Sequence, residues 1–254
     1  MLLGCGAGHS TTVARPTLAT EIERAQRTID DPSATPADLQ QAARVEQLAF
    51  RKLAARRPLR GPTLARLSPN ARSAAKAALR AAASLAAIVP SERQFPKWRI
   101  VAPPPVQRLL GYFQGAAGRY HIPWQYLAAI ELVETRMGRI RGLSPAGAKG
   151  PMQFEPATWA EYGHGSINSQ HDSIMAAARF LAANGGRRRI GGALFHYNPS
   201  RSYVVAVESY AREMRRDPRA FYGYYSWQVL YQTMKGTFLL PVGYPRVRPQ
   251  HLPE

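Results

Sequence analysis

Five prolines fall within sixteen residues, at Pro90, Pro96, Pro103, Pro104 and Pro105, and they divide this chain more firmly than any other feature. Proline has no backbone donor and a fixed φ, so neither a helix nor an interior strand can run through such a stretch. The pattern on both sides is helical. Before the prolines, residues 20–29 suit one helix, closed by Asp30-Asp31-Pro32-Ser33. Thr35 as N-cap and Pro36 in the first turn open a second helix, which carries Leu39, Ala43, Val45, Leu48 and Phe50 and ends near Arg57-Pro58. Ser68 and Pro69 open a third, alanine-rich one over 71–89. After the prolines, helical periodicity returns over 106–120, 123–137, 156–162, 173–183, 190–196 and 202–216, with Asn184-Gly185-Gly186 as a stop signal. No alternating run of strand length stands out. The expectation is an all-α fold: a tether over 1–18, a small helical segment over 19–89, a stiff connection over 90–105, the main helical domain over 106–216, and an aromatic extension over 217–254.

Several function classes are excluded or weakened. No run of 18 or more apolar residues is present, so no transmembrane helix is expected. A single cysteine excludes an internal disulfide framework and a Cys-rich zinc site. The six histidines are scattered, so neither a metal nor any other cofactor is expected. The net charge of +18 raises nucleic acid as a partner. The charge is spread, however. Residues 1–100 hold 16 basic and 7 acidic side chains and residues 101–254 hold 18 and 9, so each part is net +9. No zinc-finger spacing or RNP-like motif accompanies it. Solvated arginine-rich faces, or attraction to a cell-envelope polyanion, fit better than nucleic acid.

The chemistry concentrates after residue 123. On a helix over 123–137, Leu127, Ile130, Val133 and Met137 define an apolar stripe. With Leu127 at 0°, Glu134 falls at about 340°, inside that stripe, and Glu131 at about 40°, on its flank. A carboxylate in an apolar stripe is desolvated, which favours its protonated form and suits it to donate a proton near neutral pH. The alternative is a border glutamate paired with Arg136 or Arg139. Ser144-Pro145-Ala146-Gly147-Ala148-Lys149-Gly150-Pro151 follows, too rich in Gly and Pro for regular structure and small enough to let backbone approach a ligand. Then come Met152-Gln153-Phe154-Glu155 and, later, Tyr197-Asn198.

Taken in order, Val133-Glu134-Thr135-Arg136-Met137-Gly138, the Ser-Pro-Ala-Gly-Ala-Lys-Gly loop, Gly150-Pro151-Met152-Gln153-Phe154 with Pro156-Ala157-Thr158-Trp159, and Tyr197-Asn198 resemble the motifs of lytic transglycosylases. The variants look closest to the membrane-bound type B-like branch. These enzymes cleave peptidoglycan on a lysozyme-like helical domain. The likeness covers about residues 105–216, and Glu155 stands where the family usually has an apolar residue.

The resemblance implies that Glu134 is the sole catalytic acid/base, working on the bond between MurNAc and GlcNAc to leave a 1,6-anhydro end. It implies that Ser144, Gln153, Phe154, Tyr197 and Asn198 hold sugar or the catalytic carboxylate. The expected partner is the peptidoglycan glycan strand. A hydrolytic muramidase on the same fold and a wall-binding protein without catalysis are the alternatives. The aromatic extension is expected to pack back on the catalytic domain, with a sugar-stacking shelf as the alternative.

An extracytoplasmic location follows from that substrate. Leu2-Leu3-Gly4-Cys5 resembles a bacterial lipobox, and the small, polar stretch from Gly6 to Pro16 suits a tether, so Cys5 is a candidate lipidation site and the membrane a partner through it. An ordinary free thiol is the alternative. Metabolic labelling with a fatty acid is expected to mark the wild-type protein and not Cys5→Ala; an unlabelled wild type counts against the anchor.

Overall fold

The computed structural model describes residues 17–88 and 91–253; Cys5 and the proposed tether up to Pro16 lie outside them. The N-terminal part forms four helices: α1 (Leu18–Asp30), α2 (Pro36–Ala55), α3 (Arg57–Ala65) and α4 (Pro69–Ala86). Their starts are chemically marked. Thr17 and Ser68 accept from the backbone of Thr20 and Ala71, and Thr35 with Asp38 forms a capping box. The short α3 falls where the sequence pattern suggested only a helix end at Arg57-Pro58. Two arginines make the tight α2–α3–α4 connection possible by satisfying exposed helix-end carbonyls. Arg60 donates to Leu53 O at 2.8 Å, and Arg72 donates to Leu64 O at 2.8 Å and Leu67 O at 2.7 Å.

The remaining helices are α5 (Val106–Tyr120), α6 (Trp124–Thr135), α7 (Pro156–Tyr162), α8 (Gln170–Ala183), α9 (Ile190–Tyr197), α10 (Arg201–Arg216) and α11 (Ala220–Ser226). Helix α4 lies along α10, and the small side chains Ala71, Ala74, Ala75, Ala78 and Ala81 are its buried face. Alanine lets two helix axes approach closely, and its high propensity holds the helix together without large side chains. Polar contacts seal the same junction: the Ser73 hydroxyl donates to Glu213 at 2.7 Å, and Arg216 reaches both Glu213 and the Asn70 side chain. Ile22, Phe50 and Leu53 from the first helices therefore share one hydrophobic core with Phe113, Leu127 and Leu194.

The fold is mostly helical, compatible with the all-α expectation, and a few short strands accompany the helices. Strands β3 (Val229–Thr233) and β4 (Gly236–Leu240) form a hairpin, extended by β5 (Gln250–His251), and β1 (Arg99–Ile100) pairs with β2 (Ile140–Arg141). The hairpin escaped the sequence reading because Val229, Thr233, Thr237, Leu239 and Leu240 are all buried, so its burial does not alternate cleanly. Its two-residue turn, Met234-Lys235, also lacks an Asn-Gly signal. The aromatic extension packs back on the helices: Phe221 lies edge-on to Phe113 at 6.1 Å and to Trp124 at 5.6 Å.

The Pro-rich stretch is held in place from Pro96 to Pro104. Ile100 N donates to Tyr244 O at 3.1 Å and Val101 N to Arg139 O at 3.0 Å, while the Tyr244 and Tyr225 hydroxyls donate to Pro96 O and Pro104 O at 2.7 and 2.8 Å. Among the described residues, no helix is long and apolar enough to cross a membrane. The α4–α10 contact yields a direct test. Ala75 is completely buried, so Ala75→Leu should overpack the seam and lower stability by about 1–3 kcal/mol in chemical denaturation. An unchanged midpoint would mean that the seam has room to spare.

Candidate active site

Helix α6 is enclosed on almost every side. Tyr126 to Leu132 are all buried, and so is Thr135. A helix apolar all round lies in the interior, so the apolar stripe read from periodicity is not a distinct face. Glu131, expected on the flank, is completely buried, whereas Glu134 is partly exposed. The helix also stops two residues earlier than its periodicity suggested, because Arg136, Met137 and Gly138 all take left-handed conformations with φ of 53°, 58° and 73°. Met137 N returns to Glu131 O at 3.2 Å, closing the helix end. The Thr135 hydroxyl donates to Pro151 O at 2.5 Å and accepts from Gly138 N at 3.1 Å, tying the loop after the helix to the residue next to Glu134.

Two glycines are required for this arrangement. A Cβ on Gly138 would lie 1.8 Å from Gln170 Nε2, and one on Gly150 would lie 1.9 Å from Ile167 O. Both residues also have positive φ. The loop is braced from within. Lys149 and Phe154 exchange backbone hydrogen bonds at 2.8 and 2.9 Å. Gln153, at φ 51°, donates through its amide to Gly150 O at 2.9 Å. Ser144 accepts from Ala148 N at 3.0 Å through its hydroxyl, which is thereby used to shape the turn.

Glu134 faces two phenols. Burial pushes its carboxyl up to about 7, and the Tyr203 hydroxyl pulls in the opposite direction. Tyr203 and Tyr197 are themselves raised, first by burial and then by the charge of Glu134. The two rings stack with centroids 6.4 Å apart. Tyr197 donates to Met152 O at 2.6 Å and packs against Phe154, so it couples α9 to the loop. Tyr203 Oη is buried and has no hydrogen-bond partner in normal geometry among the described residues. The arginines weighed as partners for Glu134 turn elsewhere: Arg136 towards Tyr210, and Arg139 over the Tyr225 ring at 5.5 Å.

The structure thus gathers Glu134, Tyr197, Phe154 and the Gln153 loop. Asn198 caps the end of α9 with its backbone N–H, and Glu155 is exposed at the start of α7. Tyr203 was missed in the sequence, where an aromatic in the first turn of a helix reads as core; its closeness to the Tyr197-Asn198 motif was the available signal. Glu131 was underrated. Both of its carboxyl oxygens and both amide atoms of the neighbouring Gln170 are buried without a partner in normal geometry among the described residues, and burial, against the pull of Arg141 and Gln170, pushes its carboxyl up to about 8. Among the described residues no cluster of His, Cys, Asp and Glu could hold a metal ion. Compared with protein-family models, curated proteins and solved structures, the chain matches none of them.

Glu131 stays protonated in the folded chain well above the pH at which it ionises when unfolded. Its contribution to stability is therefore intact at low pH and declines from about pH 4.5 to about pH 8. Glu131→Gln keeps the shape without the proton, so it should flatten the loss of stability over that window, a loss of at most about 1.4 kcal/mol per pH unit for one group. Melting curves from pH 5 to pH 8 check this, and an unchanged slope would show that Glu131 is solvated.

Proposed function

We propose that this protein is a peptidoglycan lytic transglycosylase, with a lysozyme-like arrangement of its helices after residue 105 and Glu134 as the only acid/base. The observation that carries the reading is the state of that one carboxyl. It is partly exposed, raised to about 7, paired with no cation among the described residues, and set between two tyrosines and a glycine-braced loop. The motif order from Glu134 to Asn198 supplies the substrate: a β-1,4-linked glycan of MurNAc and GlcNAc.

In this mechanism the protonated Glu134 donates to the glycosidic oxygen as the bond to MurNAc C1 breaks, and GlcNAc leaves with that proton. The carboxylate so formed takes the proton from the MurNAc 6-hydroxyl as that oxygen closes on C1. Glu134 is protonated again, no water is consumed, and a 1,6-anhydro end remains. Ordinary two-carboxylate glycosidases need a second Asp or Glu at a set distance. Between Glu134 and Glu155 the sequence offers none. The Tyr203 hydroxyl, buried beside Glu134 and already drawing its carboxyl towards the ionised form, suits the moment after donation, when a hydrogen bond stabilises the carboxylate. Gln153, Phe154, Tyr197 and Asn198 would line the sugar path, and Ser144 would act through the turn it shapes. Such a substrate places the protein outside the cytoplasm, with Cys5 as its membrane anchor.

Digestion of purified sacculi followed by mass analysis tests the whole reading. Released muropeptides should lack one water relative to hydrolysis products. Full-mass muropeptides would mean a muramidase instead, and wall binding without release a binding protein. Glu134→Gln should lower the rate by about 10²–10⁴-fold while the protein stays folded. In the wild type the rate should fall as the pH rises through about 7, because the acid form is lost there. Near wild-type release by folded Glu134→Gln would remove Glu134 from the chemistry.

A further inference from the structure

The C-terminal hairpin and the Pro-rich stretch together build a second surface beside the loop that follows Glu134. Its rings form a row. Trp98 and Tyr231 lie 5.4 Å apart, Tyr231 and Phe95 6.4 Å, Phe95 and Phe238 5.0 Å, and Phe238 and His251 4.9 Å. The segment is fixed in place by backbone pairing rather than by side chains alone. Glu92 N donates to Gln232 O at 3.4 Å, Met234 N to Glu92 O at 3.0 Å, and β1 pairs with β2. One end of the row meets the candidate active site: a Cβ on Gly142 would lie 2.4 Å from Trp98 Cδ1, and Gly142 O accepts from the Gln153 amide at 3.4 Å.

This surface is also where the chain leaves apolar groups in water. Of the seven large hydrophobic side chains most exposed among the described residues, five lie on the Pro-rich stretch, on the loop after β2, or on the turns that join and follow the C-terminal strands: Phe95, Leu143, Met234, Val242 and Val247. Apolar exposure concentrated in one region marks a binding surface. Exposed Arg93, Lys97 and Arg99 run along the same stretch, with Glu92 as its only acid. Aromatic faces carry partial negative charge and attract the C–H groups on the flat side of a pyranose ring. The cations suit the carboxylates of peptide stems that branch from a glycan.

We infer that this row is an accessory binding shelf for the glycan strand, holding pyranose rings and peptide carboxylates beyond those in the Glu134 groove. The inference rests on the transglycosylase reading for the identity of the strand. Its continuity with the groove through Trp98, Gly142 and Gln153 favours a glycan over a lipid surface or a protein. Stacking leaves the reacting bond untouched, so the shelf acts on how tightly a long strand is held.

Co-sedimentation with purified sacculi tests it, using full-length Glu134→Gln so that binding is separated from cleavage. Adding Phe95→Ala, at a 40% exposed position, should weaken binding by about 3- to 10-fold. Phe95→Trp should restore it, because the ring is what matters, and matching melting curves would exclude a folding defect. Equal binding by the Phe95→Ala protein and its parent overturns the shelf. So does weakened sedimentation with phosphatidylglycerol vesicles while sacculus binding is unchanged, which would make the surface a membrane contact. In either case anhydro-muropeptide release by the unsubstituted protein would leave the proposed activity standing. If that protein neither binds nor cleaves sacculi, both readings fall.

Discussion

The enclosure of α6 is the constraint from which the rest of the structure follows. A helix buried on nearly every side needs partners all round it, and here they come from distant parts of the chain. Helices α5, α8, α10 and α11 pack against it, and α4 in turn covers α10. The N-terminal helices are therefore more than an appendage, since their alanine face supports the helix that carries Tyr203 opposite Glu134. Burial on this scale gives α6 one rigid position and leaves its final turn as the place where a carboxyl meets solvent.

Two glutamates one turn apart show how little separates an enclosed carboxyl from an accessible one. Glu131 and Glu134 are both desolvated and both raised, to about 8 and about 7. Glu131 has no route to a solute, whereas Glu134 stands at a partly open edge beside a loop whose carbonyls are tied to Tyr197 and Thr135. Access, not acidity, distinguishes them, and access is settled by the left-handed turn at Arg136–Gly138.

Much of the helical frame was legible because its signals are local. The prolines and hydroxyl caps at Thr35 and Ser68, and the glycines after Asn184, each mark a boundary through the chain's own backbone chemistry. The run from Val106 to Tyr120 and that from Pro156 to Tyr162 were read at the bounds they have. What was not legible depends on distant contacts. The β3–β4 hairpin is specified by burial against β1 and by the return of Glu92, neither of which leaves a pattern in residues 229–240. Glu131 was misplaced for the same reason: a wheel assigns directions around α6 but cannot say that α8, with Gln170, fills the direction it points. Tyr203 needed the fold to bring α10 to Glu134.

The two glycines that bracket the loop add a different kind of dependence. At Gly138 and Gly150 the site is defined by missing methyl groups, since any side chain there would collide with Gln170 or with the Ile167 carbonyl. Neither position carries a functional group, so neither can be recognised by its chemistry. A lineage could thus keep every acid, phenol and amide of the site and still lose it through one added carbon. The heritable record of such a site would be written as much in empty space as in functional groups.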